Sequence, residues 1–113
     1  MEIWHNPRCR KSRETLALLN EKGLEPTIRE YLKDGPDEAE LRDVIAKLGP
    51  SSARALMRTG EAEYKDQGLK SVDSEDALIR AMVETPKLIE RPIVINGDKA
   101  AIGRPPEAVL SVL

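Results

Sequence analysis

His5-Asn6-Pro7-Arg8-Cys9-Arg10-Lys11-Ser12-Arg13 is the stretch on which the reading of this chain turns. It holds the only cysteine, the only histidine and four of the eighteen basic residues. It also sits at a change of period. Before it, Met1-Glu2-Ile3-Trp4 reads as a short strand with Ile3 inward. After it, Leu16 and Leu19 recur at helical spacing, so Cys9 falls at a strand-to-helix junction. A helix N-terminus carries partial positive charge and unpaired N–H groups. A thiol there, with an arginine on each side, should ionise more readily than a free cysteine near pKa ~8.5. The same N–H groups suit an oxyanion. Both effects point to a nucleophilic thiolate beside an anion site.

A lone cysteine is more often an inert core residue, because the thiol behaves as a small hydrophobe. Arg8, Arg10 and Lys11 argue against that here, since three cations do not surround a dry core position. His5 is weaker evidence, because a single histidine is commonly a hydrogen-bonded structural residue. One Cys and one His cannot complete a four-ligand metal site, so no metal is expected. Ser12 stands where a redox pair would place its second cysteine. The motif is therefore Cys-x-x-Ser, and any disulfide must form with another molecule.

Composition narrows the class. At 113 residues the chain is expected to form one domain, 1–113, around one core. Hydrophobic residues make up 40% and charged residues 34%, with mixed signs, as in a soluble globular protein. A net charge of −2 gives no global field for nucleic acid or a membrane surface, so neither is expected as a partner. Aromatics are only 3%, too few for base-stacking platforms. No apolar run approaches the ~18 residues of a membrane helix, and no signal peptide opens the sequence. A single cysteine excludes an internal disulfide and fits a reducing, cytoplasmic location.

In chain order, the first helix is expected from about Arg10 to Lys22, stopped by Gly23. Thr27-Ile28-Arg29-Glu30-Tyr31-Leu32 alternates and reads as a second strand. Strand, helix, strand makes a βαβ unit, so these strands should be parallel. Asp34-Gly35-Pro36 breaks the chain and opens a helix with Pro36 in its first turn. Leu41, Val44, Ile45 and Leu48 form its apolar face, and Gly49-Pro50 ends it. Ser51 or Ser52 is the expected cap of a short helix through Arg58. That helix would put Arg54 and Arg58 on one face, where their repulsion needs an anion or acids to offset it. Glu61 to Gly68 reads as irregular or one helical turn. Ser74 caps the next helix, with Leu78, Ile79, Met82 and Val83 apolar, and Thr85-Pro86 closes it. Pro92-Ile93-Val94-Ile95, the turn signal Asn96-Gly97 and a strand near Lys99–Ile102 make an antiparallel hairpin. A terminal helix follows from Gly103-Arg104-Pro105-Pro106-Glu107, with Val109, Leu110 and Leu113 apolar. The isomer of the Arg91–Pro92 bond is not legible from sequence.

This order is thioredoxin-like: an α/β chain with a mixed four-stranded sheet, flanking helices and a helical insertion in the middle. Several pieces carry a more specific resemblance. They are His5-Asn6-Pro7-Arg8-Cys9, Ser12-Arg13, Arg54-Ala55-Leu56-Met57-Arg58, Glu90-Arg91-Pro92-Ile93-Val94 and Gly103-Arg104-Pro105. With them, in this order, the chain resembles the glutaredoxin-coupled arsenate reductase (ArsC) family, and within it the short YfgD-like branch. The better-known members continue past the position matching Leu113 with a C-terminal extension.

The resemblance implies that Cys9 attacks arsenate, or a similar oxyanion, which Arg58, Arg91 and Arg104 hold. It implies that His5 favours the thiolate and that Pro92 is cis and faces the cysteine, with Ser12 in support. Guanidinium forks suit this task, because they are planar, bidentate and permanently charged. No bound cofactor is implied. Glutathione would serve as co-substrate, glutaredoxin would then remove it, and arsenite would leave. Two rivals keep the fold. One is a glutathione-linked monothiol oxidoreductase acting on mixed disulfides, for which Cys-x-x-Ser suffices. The other is a regulator like the Spx-type transcription factors that bind RNA polymerase, although those usually carry Cys-x-x-Cys.

Overall fold

The computed structural model describes residues 1–49 and 52–113, and they fall into two compact units. The first comprises Met1–Asp34 with Arg91–Leu113, and the second is Gly35–Glu90.

The first unit is built on a sheet in the order β2-β1-β3-β4, from β1 (Glu2–Trp4), β2 (Thr27–Arg29), β3 (Ile93–Asn96) and β4 (Lys99–Ile102). β1 pairs with β2 in parallel, as a βαβ crossover requires, and with β3 antiparallel. β3 and β4 form the expected hairpin, and Gly97 takes the positive φ (+63°) that its turn needs. The sheet is mixed and four-stranded, as expected of a thioredoxin-like chain. Ile3 and Val94 are register partners in the centre of the sheet. Both are fully buried and pack with Leu19, Val109 and Val112 into one core. Leu19 comes from α1 (Arg10–Glu21), which ends where Gly23 turns left-handed at φ +77°.

Two expectations change here. β2 stops at Arg29 instead of reaching Leu32, because the Glu30 carbonyl accepts from the Lys33 and Asp34 amides and is captured by a turn. Tyr31 is consequently buried, whereas Ile28 and Leu32 are exposed. The terminal helix is 3₁₀, over Pro106–Val112. With three residues per turn, Pro106, Val109 and Val112 share the inner face. Leu110 and Leu113, noted with Val109 as the apolar positions of this helix, are exposed.

The second unit is the helical insertion, with α2 (Glu38–Lys47), α3 (Ala62–Asp66), α4 (Glu75–Glu84) and three short 3₁₀ turns. Pro36 lies before α2 and not in its first turn. Asp37 is the N-cap and forms a reciprocal capping box with Glu40, a device worth about 1 kcal/mol. Leu41, Val44 and Ile45 of α2 are buried, as are Leu78, Ile79 and Met82 of α4. Ser74 caps α4 as expected, its Oγ accepting from the Ala77 amide at 3.2 Å.

The helix expected through Arg58 is only a 3₁₀ turn, Ala53–Leu56. Met57 is extended (φ −98°, ψ 145°) and forms an isolated antiparallel bridge to Ile89. Arg54 and Arg58 therefore do not share a helix face. Ser52 occupies the N-cap position without a side-chain bond, and Glu75 accepts from the Ala53 amide instead. Pro50 and Ser51, named above as a helix end and a cap, lie outside the described residues. No helix among the described residues is long and apolar enough to cross a membrane.

Candidate active site

Cys9 is the N-cap residue of α1, with an extended backbone (φ −93°, ψ 122°). The loop that delivers it is tied down at four points. The Cys9 amide donates to the Asn6 carbonyl (2.9 Å) and the Arg8 amide to Asn6 Oδ1 (3.0 Å). Arg13 Nη1 donates to the Pro7 carbonyl (2.9 Å), and the Arg13 amide to the Cys9 carbonyl (3.0 Å). The sulfur stands where a capping oxygen usually sits, but it makes no cap hydrogen bond.

The thiol is half-buried, and the forces on its proton oppose each other. Burial pushes its pKa up and is the largest single influence. Against it stand the Ser12 amide, the charge of Arg91, the Lys11 amide and the Arg104 guanidinium, in that order, and together they hold the thiol below its ordinary value. The Ser12 and Lys11 amides face the sulfur without completing a cap hydrogen bond, so their effect is that of oriented dipoles. Arg8 and Arg10, the sequence neighbours, are not among the main groups that shift it. Arg10 is spent on Glu14 at 3.0 Å.

The long-range half of the site comes from two arginine–proline junctions. Arg91–Pro92 and Arg104–Pro105 are both cis. Pro92, at the head of β3, is cis as the resemblance implied, and its carbonyl accepts from the Gly103 amide at 2.9 Å. Arg104 Nη1 lies 3.9 Å from Cys9 Sγ and 3.2 Å from the Arg91 carbonyl. Gly103 allows this close approach. A Cβ there would stand 2.5 Å from Thr15 Oγ1 and 2.8 Å from Pro92 Cγ, so the β4 end, the proline and α1 meet only because the side chain is absent. The role of Gly103 was not legible beforehand. The one signal was its place directly before Arg104-Pro105.

His5 directly follows β1, its amide bonded to the Arg29 carbonyl at 2.8 Å. Its Nδ1 is 2.6 Å from Ser12 Oγ, which also accepts from the Asn6 amide at 3.0 Å. Burial lowers the histidine pKa most, Glu30 raises it and Arg13 lowers it, with a net fall. A neutral ring with Nδ1 as acceptor from the Ser12 hydroxyl satisfies this network. His5 therefore reaches Cys9 through Ser12, whose amide faces the sulfur. Ser12 is fully buried and serves as a structural bridge.

Cys9, His5, Ser12, Arg91, Pro92 and Arg104 thus belong to the first unit. Arg58 belongs to the second, where its amide donates to the Leu88 carbonyl (2.8 Å) and Nη2 pairs with Glu61 Oε2 at 3.1 Å. Among the described residues no three His, Cys, Asp or Glu side chains gather as a metal site.

A family model described as "ArsC family" matches residues 4–112, across both units. The protein YfgD of Escherichia coli K12 is 55% identical over 114 residues, covering 100% of this chain and 96% of that one. The arsenate reductase of Haemophilus influenzae is 53% identical over 112 residues, covering 98% of this chain and 97% of that one. The solved structure of an arsenate reductase from Vibrio cholerae superposes with a TM-score of 0.96 at 50% identity, over 99% of this chain and 96% of that one. With the thiol at the helix start, the cis Arg91–Pro92 bond and Arg104 beside the sulfur, these matches place the chain in the ArsC family.

Proposed function

We propose that this protein is an arsenate reductase that draws its electrons from external thiols. The observation that carries the reading is the Cys9 sulfur at the N-cap position of α1, with Arg104 Nη1 at 3.9 Å. The Cys9 thiolate attacks arsenic(V). One oxygen leaves as water after taking up protons, and a thiol–arsenate adduct remains. Arg58, Arg91 and Arg104 hold the remaining oxygens, in the roles the family resemblance assigns them. With serine in place of a resolving cysteine, the chain cannot close its own disulfide. Glutathione adds next and glutaredoxin removes it. The two thiols supply the two electrons that take arsenic(V) to arsenite. A reducing compartment, the cytoplasm, suits this chemistry.

The test is coupled turnover of arsenate with glutathione, glutaredoxin and a nicotinamide-linked glutathione reductase. Turnover is expected, and Cys9→Ser should retain less than a tenth of it while its thermal unfolding is unchanged, since serine caps a helix well. Reduction of glutathione mixed disulfides without arsenate turnover would overturn the reading in favour of a monothiol oxidoreductase. Undiminished turnover by Cys9→Ser would remove the nucleophile.

A further inference from the structure

A groove of about 290 Å³ lies in the first unit on the β2 side of the Cys9 loop. One wall is the Asn6-Pro7-Arg8 turn, the other the turn that carries Glu30, Leu32 and Lys33. Both walls are held by backbone bonds, Cys9 amide to Asn6 carbonyl (2.9 Å) and Lys33 amide to Glu30 carbonyl (2.9 Å). The groove is therefore preformed. Its charges are unusual for a surface dent. Arg8 is exposed and has no carboxylate within ion-pair distance among the described residues. Lys33 Nζ makes only a loose pair with Glu30 Oε1, at 3.6 Å, with the lysine side chain 81% exposed. Leu32, 44% exposed, offers an apolar patch between them.

We infer that this groove seats the peptide thiol that follows arsenate, a γ-glutamyl tripeptide with two carboxylates and one ammonium. The inference rests on the function proposed above and adds where and how the co-substrate is recognised. The groove presents two cations and one anion, and glutathione presents the opposite set. Arg8 is bonded to Cys9, so their Cα atoms are about 3.8 Å apart. A glycine carboxylate on Arg8 leaves the peptide's own thiol one residue away, within reach of whatever Cys9 carries. The γ-glutamyl end then meets Lys33 with its carboxylate and Glu30 with its ammonium. Small neutral thiols have none of these groups and gain nothing from the groove.

The experiment uses thiol exchange, which needs no arsenate. Cys9 is converted with Ellman's reagent to its mixed disulfide with thionitrobenzoate. A glutathione thiolate then attacks Cys9 Sγ, the bond between the two original sulfurs breaks, and coloured thionitrobenzoate leaves with the electron pair. The Cys9–glutathione disulfide remains, so electrons balance without a further oxidant. The quantity read is the rate with glutathione divided by the rate with 2-mercaptoethanol, which cancels changes in the reactivity of Cys9 itself. Arg8→Glu and Lys33→Glu should each lower this ratio about fivefold, the size expected when an exposed attraction becomes a repulsion. Glutathione esterified at its glycine carboxylate should lose part of that factor on the unaltered protein and nothing on Arg8→Glu, where it escapes the repulsion, closing a double-mutant cycle. Ratios within twofold of the unaltered protein in both variants, or an ester penalty that persists in Arg8→Glu, would overturn the assignment. A chain that exchanges as expected but never reduces arsenate would refute the proposed function and leave the groove standing. Normal arsenate turnover with an unchanged ratio would refute the groove alone.

Discussion

Arg54 and Arg104 show how differently two regions of one chain use the same side chain. Arg54, in the second unit, donates to the Tyr64 hydroxyl and to the carbonyls of Leu69 (3.0 Å) and Val72. It ties the 3₁₀ turn Ala53–Leu56 to α3 and to the segment after it, and its charge is consumed by neutral acceptors. Arg104, in the first unit, is exposed, donates to the Arg91 carbonyl, and lies 3.9 Å from the sulfur. Arg91 acts on the same sulfur by its charge. A guanidinium saturated with carbonyls is a structural staple. One that reaches solvent beside a thiol is placed to meet an incoming anion.

The comparison breaks most visibly under lysine substitution, which keeps charge and removes the fork. Arg91→Lys and Arg104→Lys should lower arsenate kcat/KM on the order of 10–100-fold with little change in the urea midpoint. Arg54→Lys should do the reverse, costing about 1–3 kcal/mol in urea unfolding because buried acceptors lose their donor, while kinetics on the folded protein stay near normal. Larger kinetic damage from Arg54→Lys than from Arg91→Lys in steady-state assays would show that the two regions have been assigned the wrong way round.

Gly103→Ala sharpens the same contrast within the first unit. The added methyl meets Thr15 Oγ1 at 2.5 Å and Pro92 Cγ at 2.8 Å, so the Arg104 junction must shift away from α1. The expected cost is about 1–3 kcal/mol in urea unfolding, as for overpacking elsewhere, with a fall in kcat because Arg104 moves with its neighbour. Gly60 is the matched control, since it is exposed and a methyl added there would meet nothing within 4 Å. Gly60→Ala should change neither quantity.

The smallest effect is on thiol titration. The pKa of Cys9 is lowered from the ordinary thiol value, so the reactive thiolate persists as pH falls below that value and is lost only as pH falls through the folded one. Iodoacetamide alkylation measured against pH should have its midpoint below that of a free cysteine under the same conditions. Arg104→Ala should move the midpoint up, and Arg54→Lys should leave it in place. Sulfate or arsenate should slow alkylation more than chloride at equal ionic strength, which controls for screening. A midpoint at the ordinary thiol value, with no oxyanion protection, would make Cys9 an inert structural residue.

The Cys9 end of the candidate site was legible in the sequence because its determinants are local. A strand, two turn residues, a cysteine and a helical period lie within about twenty residues, and backbone geometry then places Cys9 at the N-cap position of α1. The hairpin was legible for the same reason, since Asn96-Gly97 follows a β-branched run. The partners of that thiol are not set by local determinants, and only the family resemblance pointed to Arg91 and Arg104. Arg8 and Arg10 flank Cys9 in sequence and carry the obvious charge, yet Arg91 and Arg104 are the ones that act on it.

Sequence by itself determined the element order, the parallel first pair of strands, the cap of α4 and the end of α1, all governed by interactions within a few residues. Tertiary structure decided that Arg54 staples the second unit, and it gave the route by which Arg104 reaches the thiol. It linked His5 to Cys9 through a buried serine, and it turned the last helix to 3₁₀, so that Val112 is buried and Leu110 is not. The physical reason is separation along the chain. Arg104 and Cys9 are 95 positions apart. Their meeting depends on β4 returning beside β3, on Gly103 having no side chain, and on a core that closes around Ile3 and Val94.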